Sequence, residues 1–286
     1  MELEQGGRRL SLERPRVMGV LNVTPDSFSD GGRFHAPDQA LDQAAQMVAA
    51  GVDIVDIGGE STRPGAAPVS EQQELDRVLP VLEGLRQRFD VWISVDTSSP
   101  AVMRAAATAG ADMLNDVRAL SREGALAAAV DTGLPVCLMH MQGEPANMQS
   151  DPRYDDVVNQ VVGYLTERRD AALAAGIPAG RIVLDPGFGF GKTLEHNLAL
   201  VRALPGLAEL GHPLLVGLSR KSMLGRITGR PVDQRLGASV AAALLCAQRG
   251  AQIIRVHDVA ETVDALAVWQ AVMRIGSVSE SRESVK

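Results

Sequence analysis

The sequence predicts an α/β protein built from repeated strand–helix units, and three features of the chain support this. Eight short apolar runs recur along the 286 residues, each run ends in a polar or charged residue, and a helix-like stretch follows each one. The runs end at Asn22, Asp56, Asp96, Asn115, His140, Asp185, Ser219 and His257. As parallel strands of one (β/α)8 TIM barrel, they would place these side chains on the rim where such barrels build their active sites.

The eight strands are expected to be continuous apolar runs, because parallel strands are buried on both faces. They lie near 17–21, 53–57, 91–95, 112–115, 135–139, 182–184, 213–217 and 253–256. Helices follow near 38–50, 71–88, 100–109, 123–132, 155–175, 194–204, 234–249 and 259–275. A doubly wound open sheet is the rival architecture. The even spacing of the units and the lack of a GxGxxG segment after the first run favour the barrel.

Local signals mark where the helices begin and end. Ser70 with Gln73 predicts a capping box, and Ser99 followed by Pro100 predicts an N-cap and a first helical residue. A glycine precedes five of the apolar runs, where a left-handed residue would end the helix and turn the chain into the next strand. These glycines are Gly51, Gly110, Gly133, Gly176 and Gly250.

Composition limits the classes of function. A net charge of −7 argues against a nucleic-acid partner, which usually needs a basic face. We see no secretory signal at the N-terminus and no apolar stretch of membrane-spanning length. Only Cys137 and Cys246 are present, so we expect a cytoplasmic protein with reduced thiols. We expect one domain over 1–286, with its core at about 15–275 and a flexible tail at 276–286.

The segment LDPGFGFGK (184–192) invites a phosphate-loop interpretation that its spacing rejects. A Walker A loop needs glycine where this chain has Pro186, and Lys192 occupies the place of the third glycine of GxGxxG. Asp185 remains, at the predicted end of a strand. A carboxylate there suits a ligand with parallel N–H donors.

Asp96 and Asn115 follow neighbouring strands, and either one alone could serve as a helix N-cap. Together with Asp185 they form an arc of hydrogen-bonding groups, which suits a flat, nitrogen-rich heterocycle.

Cations gather after the last two strands, in GLSRKS (217–222) and IIRVHDV (253–259). The loops after these strands often bind phosphate in such barrels. Arg255 and His257 are two residues apart and therefore share one side of their strand. We expect Lys221 in the site too, and Arg220 in a surface salt bridge.

Two long loops complete the predicted rim. LNVTPDSFSDGG (21–32) begins with Asn22, and GGESTRPGA (58–66) carries Thr62 and Arg63. Asn22 with a substrate diphosphate would suit Mg²⁺, an ion that prefers hard oxygen ligands. Asp56 either orders the second loop or contacts ligand.

These segments together resemble the dihydropteroate synthases of the bacterial monofunctional type, over about Val17 to Ile275. One departure is visible in RLGAS (235–239), where family members often have glycine in the place of Ala238. The resemblance implies that the chain joins 4-aminobenzoate to a dihydropterin methyl diphosphate, releasing diphosphate, with Mg²⁺ as cofactor. It also implies a homodimer.

The resemblance further implies roles for individual residues. Asp96, Lys221, Arg255 and His257 would carry the catalysis. The pterin would be bound by Asp96, Asn115, Asp185, Lys221 and Arg255. The diphosphate would be bound by Asn22, Thr62, Arg63, Arg255 and His257, with Asn22 as metal ligand. The 4-aminobenzoate wall would be Phe28, Thr62, Pro64, Phe190, Lys221 and Ser222, where sulfonamides would compete.

Two alternatives remain at this point. A pterin-binding methyltetrahydrofolate methyltransferase shares such a barrel, but it lacks a reason to keep Arg63, Lys221 and the Arg255–His257 pair for a diphosphate. A catalytically silent pterin-binding paralogue is the other alternative.

Overall fold

A computed structural model describes residues 1–24, 36–61, 69–144 and 147–280 of the chain. An antiparallel hairpin near the N-terminus, β1 (Glu2–Gln5) and β2 (Arg8–Ser11), precedes eight parallel strands. These are β3 (Arg16–Asn22), β4 (Ile54–Gly58), β5 (Trp92–Asp96), β6 (Met113–Asp116), β7 (Val136–Met139), β8 (Ile182–Asp185), β9 (Leu215–Val216) and β10 (Ile253–Val256).

The eight strands close into a barrel, as the sequence predicts. Their order is β8-β7-β6-β5-β4-β3-β10-β9, and all neighbours in it run parallel. The two edges of this order meet through a parallel bridge between Leu184 and Leu214, where the N–H of Leu184 donates to the carbonyl of Pro213 at 2.9 Å.

Helices surround the barrel, and most of their bounds agree with the prediction within a few residues. They are α1 (Ala36–Ala49), α2 (Glu71–Arg88), α3 (Pro100–Thr108), α4 (Ala125–Thr132), α5 (Val157–Ala174), α6 (Leu194–Ala208), α7 (Ser222–Thr228), α8 (Leu236–Gln248) and α9 (Val259–Glu280). The sequence analysis placed no helix in the loop that contains α7. None of the helices in the described part of the chain is long and apolar enough to cross a membrane.

The predicted helix ends are confirmed. Ser70 and Gln73 form a capping box at α2, and the Ser99 side chain caps α3 with Pro100 at its first position. The five glycines before the strands all have positive φ, from 64° at Gly133 to 104° at Gly176. Each one therefore takes the left-handed conformation that ends a helix at little steric cost.

The barrel interior is built in layers, because alternate residues of a strand point to the same side. The lower layer takes one residue from each barrel strand: Met18, Ile54, Trp92, Met113, Cys137, Val183, Leu215 and Ile253. Leu3, Leu10 and Leu12 of the hairpin pack into the same cluster and cover the amino ends of the strands. The sequence analysis did not anticipate this hairpin, since its strands read as polar apart from these leucines.

Two residues further along each strand, the barrel interior becomes largely polar. The next inward positions on seven of the strands are Val20, Asp56, Ser94, Asn115, Met139, Asp185 and Arg255. Polar and charged groups therefore replace the apolar layer towards the carboxyl ends of the strands.

Candidate active site at the carboxyl ends of the strands

Arg255 lies at the centre of a charged network in the barrel mouth. Its Nε donates to Asp56 Oδ2 at 2.7 Å and its Nη2 donates to Asp96 Oδ2 at 2.9 Å. Asn115 Nδ2 donates to the same Asp56 oxygen at 3.2 Å. The Asp56 side chain is fully buried, whereas 22% of the Arg255 side chain is exposed. The guanidinium thus joins the buried floor of the mouth to its open side.

The position of Asp56 corrects the sequence analysis. The second apolar run was expected to close at Asp56, on a strand near 53–57 with Asp56 at the rim, but β4 continues to Gly58. Asp56 therefore lies within the strand and faces the lumen. The sequence analysis missed Ser94, which lies at the same level. Asp56 Oδ1 and Ser94 Oγ are buried and have no hydrogen-bond partner in the described part of the chain. These two oxygen atoms at the floor of the mouth could therefore form hydrogen bonds with a ligand.

Asp96 has an unusual electrostatic environment. Burial raises the pKa of Asp96, the charge of Arg255 lowers it, and the charge of Asp56 raises it further. Two carboxylates converge on one guanidinium, and a single cation does not fully offset the cost of burying both. The Arg255 ion pair therefore acts against the burial that favours the neutral form of Asp96.

Asp185 ends β8 and begins the glycine-rich turn. The N–H of Gly187 donates to Asp185 Oδ1 at 2.7 Å, and this bond fixes the carboxylate towards the mouth. Burial raises the pKa of Asp185, while the Gly187 hydrogen bond and Lys221 act in the opposite direction. Asp185 is well placed to meet a ligand that brings its own N–H donors.

Lys221 precedes α7 and reaches back over the turn. Its Nζ donates to the carbonyl of Phe188 and lies 4.5 Å from the centre of the Phe190 ring, within the range of a cation–π interaction. Burial lowers the pKa of Lys221 to about 8, although Asp185 and Asp96 raise it. The ammonium of Lys221 therefore interacts with the carboxylates of both Asp185 and Asp96.

His257 and Asn22 lie at the ends of β10 and β3. The backbone N–H of His257 donates to Ser219 Oγ at 3.2 Å, and its ring Nδ1 lies 3.1 Å from the same hydroxyl. Asn22 pairs with Gly58 in register. A Cβ at Gly58 would lie 3.4 Å from Asn22 Oδ1, so the glycine leaves room for the amide on the rim.

Arg220 lies outside this network, as the sequence analysis expected. It forms an ion pair with Asp258, and 44% of its side chain is exposed.

Four predicted residues, Phe28, Thr62, Arg63 and Pro64, fall outside the described residues. Ser222 is exposed at the first position of α7. The remaining predicted residues lie at the barrel mouth: Asn22, Asp96, Asn115, Asp185, Phe190, Lys221, Arg255 and His257.

Sequence reasoning missed one buried cation. Lys192 is 3% exposed, and its Nζ contacts Gly187 O at 2.8 Å, Phe190 O at 3.0 Å and His140 Nδ1 at 2.9 Å. The sequence analysis used this lysine only to reject a phosphate loop. The structure supplies the physical reason for that rejection, because these carbonyl oxygens face a cation, whereas a phosphate loop turns its N–H groups towards an anion.

The fold and this mouth define a barrel enzyme with a charged site at the carboxyl ends of its strands. A model of the family described as pterin binding enzyme matches residues 18–257. The dihydropteroate synthase of Haemophilus influenzae is 53% identical over 271 residues, 95% of this chain and 98% of that protein. The chain belongs to the pterin-binding enzyme family and, within it, to the dihydropteroate synthases.

Solved structures of dihydropteroate synthases have the same fold as this chain. The Yersinia pestis dihydropteroate synthase, in complex with a sulfonamide drug, superposes with a TM-score of 0.92 at 56% identity, covering 96% of this chain and all of that one. The Xanthomonas albilineans dihydropteroate synthase with 4-aminobenzoic acid gives a TM-score of 0.91 at 54% identity, covering 95% of this chain and 98% of that one.

Proposed function

We propose that this chain joins the amine of 4-aminobenzoate to the methylene carbon of a dihydropterin methyl diphosphate, forming dihydropteroate and releasing diphosphate. The observation that carries the proposal is the Arg255 guanidinium, bound to Asp56 and Asp96 beside Asn115 and Asp185. Hydrogen-bonding groups for a flat heterocycle and a cation for its leaving group meet in one mouth. The names of the relatives favour this reaction over the methyltransferase and the silent paralogue.

The pterin is assigned to the inward-facing polar layer. Asp185 accepts the N–H donors of the ring edge, and Asn115, on β6 with only β7 between it and β8, contacts the same edge. Asp96 and Lys221 lie alongside, and the guanidinium of Arg255 stacks on the ring face. Asp56, which already accepts from Arg255 and Asn115, holds both of these groups in position.

The diphosphate is assigned to the open side of the mouth. Arg255 and His257 face it, and Thr62 and Arg63 are assigned to it on the resemblance of their loop. Among the described residues, no group of three or more His, Cys, Asp or Glu side chains could hold a metal ion. Mg²⁺ that arrives with its substrate diphosphate needs few protein ligands. The rim amide oxygen of Asn22 would then hold the ion, which would neutralise charge on the departing diphosphate.

The 4-aminobenzoate is assigned to a wall formed by Phe190, Lys221 and Ser222, with Phe28, Thr62 and Pro64 assigned from the resemblance. The amine nitrogen attacks the methylene carbon, the bond from that carbon to the diphosphate oxygen breaks, and the amine loses a proton to solvent. An arylamine has a free lone pair at neutral pH, so no general base is needed. Asp96 stabilises the positive charge that develops at the methylene. A sulfonamide is expected to compete for this wall.

A coupled assay tests the proposal. The purified protein is given both substrates, with and without Mg²⁺, while diphosphate is measured enzymatically and dihydropteroate by chromatography. The two products are expected in equal amounts, and Lys221→Ala is expected to weaken the binding of both substrates. The matched control is Arg220→Ala, which removes a neighbouring cation from an exposed ion pair and should have little effect. Absence of diphosphate release from the wild-type protein would refute the proposal.

We further propose that one barrel carries the whole activity, that the enzyme is cytoplasmic, and that it forms a homodimer. Free, buried Cys137 and Cys246 fit a reducing compartment. Leu245 on α8 is 50% exposed, and Val268 on α9 is 67% exposed, which fits an apolar dimer face on the late helices. Sedimentation should give a dimer that Leu245→Glu dissociates. Val130→Glu, at an exposed position on α4, should not dissociate it.

A further inference from the structure

Side-chain donors surround the glycine-rich turn after β8. Five consecutive carbonyls each accept a hydrogen bond from a side chain. Gly187 O and Phe190 O accept from Lys192, Phe188 O accepts from Lys221, Gly189 O accepts from Gln149, and Gly191 O accepts from the hydroxyl of Tyr154. The conformation of the turn is therefore stabilised by the side-chain donors around it.

Lys192 is the donor at the centre of this turn. An ammonium has three donor hydrogens, and Lys192 has three close acceptors: Gly187 O at 2.8 Å, Phe190 O at 3.0 Å and His140 Nδ1 at 2.9 Å. All three acceptors are neutral. A buried cation among neutral acceptors is costly unless each of its hydrogen bonds is made. The geometry here meets that condition.

The turn also has no room for a side chain at two of its glycines. A Cβ at Gly187 would lie 1.8 Å from the carbonyl oxygen of His140, and one at Gly191 would lie 2.4 Å from the carbonyl oxygen of Gln142. The turn is thus wedged against the segment that follows β7. The ammonium of Lys192 bridges the two segments at this contact.

Two side chains of the site depend on the same turn. Lys221 donates to Phe188 O and lies over the Phe190 ring, and the N–H of Gly187 holds the carboxylate of Asp185. We propose that Lys192 is a positioning residue, whose ammonium fixes the turn so that Phe188 and Phe190 place Lys221 against the 4-aminobenzoate wall. The inference rests on the proposed function for the identity of this ligand.

The protonation states agree with this geometry. Burial lowers the pKa of His140 to about 3, with a further contribution from Lys192, so the imidazole is neutral and its Nδ1 can accept. Burial lowers the pKa of Lys192 to about 7, against the attraction of Asp185. The ammonium form that makes all three bonds is therefore favoured below neutral pH.

The composition of the chain permits a direct test. The sequence contains only three lysines, Lys192, Lys221 and Lys286, so lysine labelled with ¹⁵N in the side chain gives three signals in an NMR spectrum. Lys192→Met removes one signal and should shift the Lys221 signal towards the position of a solvent-exposed ammonium. An unchanged Lys221 signal would overturn the proposal, whether or not the enzyme turns over.

A second variant tests the proposal if the Lys192→Met protein does not fold. His140→Phe keeps a buried ring against Tyr164, whose ring centre lies 5.0 Å away, but removes one acceptor of Lys192. It should shift the Lys221 signal in the same direction by a smaller amount. No shift in this variant would likewise overturn the proposal.

Kinetics separate positioning from simple destabilisation. Lys192→Met should raise the KM for 4-aminobenzoate by about tenfold or more, and the KM for the pterin diphosphate by less than about threefold. Tyr154→Phe is the matched control, since it removes one uncharged donor from the far end of the turn, and its effect on either KM should be smaller. A lower Tm with both KM values unchanged would show a merely structural role and overturn the proposal. If the wild-type protein releases no diphosphate, the proposed function fails, while the NMR test still decides the role of Lys192.

Discussion

Arg255 on β10 and Asp96 on β5 form an ion pair of 2.9 Å although β3 and β4 lie between their strands in the sheet. The contact passes through the barrel lumen, which only a closed sheet provides. It joins the group proposed to face the diphosphate to the group proposed to stabilise the pterin methylene. Under the proposed function, this ion pair would couple the charge that develops at the reacting carbon to the charge that leaves with the diphosphate.

Asp56 should be essential to this pairing and to stability. Asp56→Ala leaves the half-buried guanidinium with Asp96 alone. We expect a loss of about 3 kcal/mol in the free energy of unfolding, the lower end for breaking a buried ion pair, since one partner remains. Urea unfolding measures it. The control is Asp131→Ala, which removes an exposed partner of Arg104 and should cost about 0–1 kcal/mol. Equal costs for the two variants would contradict the assigned role.

Asp185→Asn should weaken pterin binding. The amide presents a donor where the carboxylate offers only acceptors, so buried donors of the ligand are left mispaired at about 1–3 kcal/mol each. Calorimetry with a 6-substituted pterin measures the loss. Asp170→Asn, on the exposed face of α5, is the control and should bind like the wild type. Unchanged pterin affinity in Asp185→Asn would remove Asp185 from the pterin site.

Pterin affinity should fall as the pH rises above about 8. Burial lowers the pKa of Lys221 to about 8, so the ammonium that donates hydrogen bonds predominates below that pH and is lost as the pH rises through it. Calorimetry between pH 6 and 10 follows the change. Lys221→Arg keeps the cation at every pH, so its affinity should fall less above pH 8 than that of the wild type. Identical profiles for the two proteins would exclude Lys221 as the titrating group.

The glycine-rich turn should tolerate no side chain at Gly187. The residue has a φ of 67°, and an added Cβ would overlap the carbonyl oxygen of His140. Gly187→Ala should therefore abolish activity and lower the Tm. Gly163→Ala is the control, because Gly163 lies within α5 with open space around it and should gain about 0.5–1 kcal/mol of stability. A fully active Gly187→Ala protein would contradict the described turn.

The eight strands could be predicted because each is a buried apolar run closed by a polar residue or by a helix cap. Asn115 and Asp185 were singled out because a polar side chain at the end of a buried run needs a local explanation, and Arg255 because it lies two residues from His257 on the same side of its strand. Asp56 was harder to place, because it lies within its strand, and its partner Arg255 is far away in the sequence. α7 was missed because it has seven residues, too few for a clear amphipathic period.

The sequence by itself determined the barrel, its rim and most of the groups on that rim, because the two-residue period of a strand and the capping of a helix are local properties. Only the tertiary structure decided which of those groups form hydrogen bonds and ion pairs with one another. The Arg255 pairs and the Lys192 contacts join residues from separate strands and loops, and their electrostatics depend on burial, which appears only when the barrel closes.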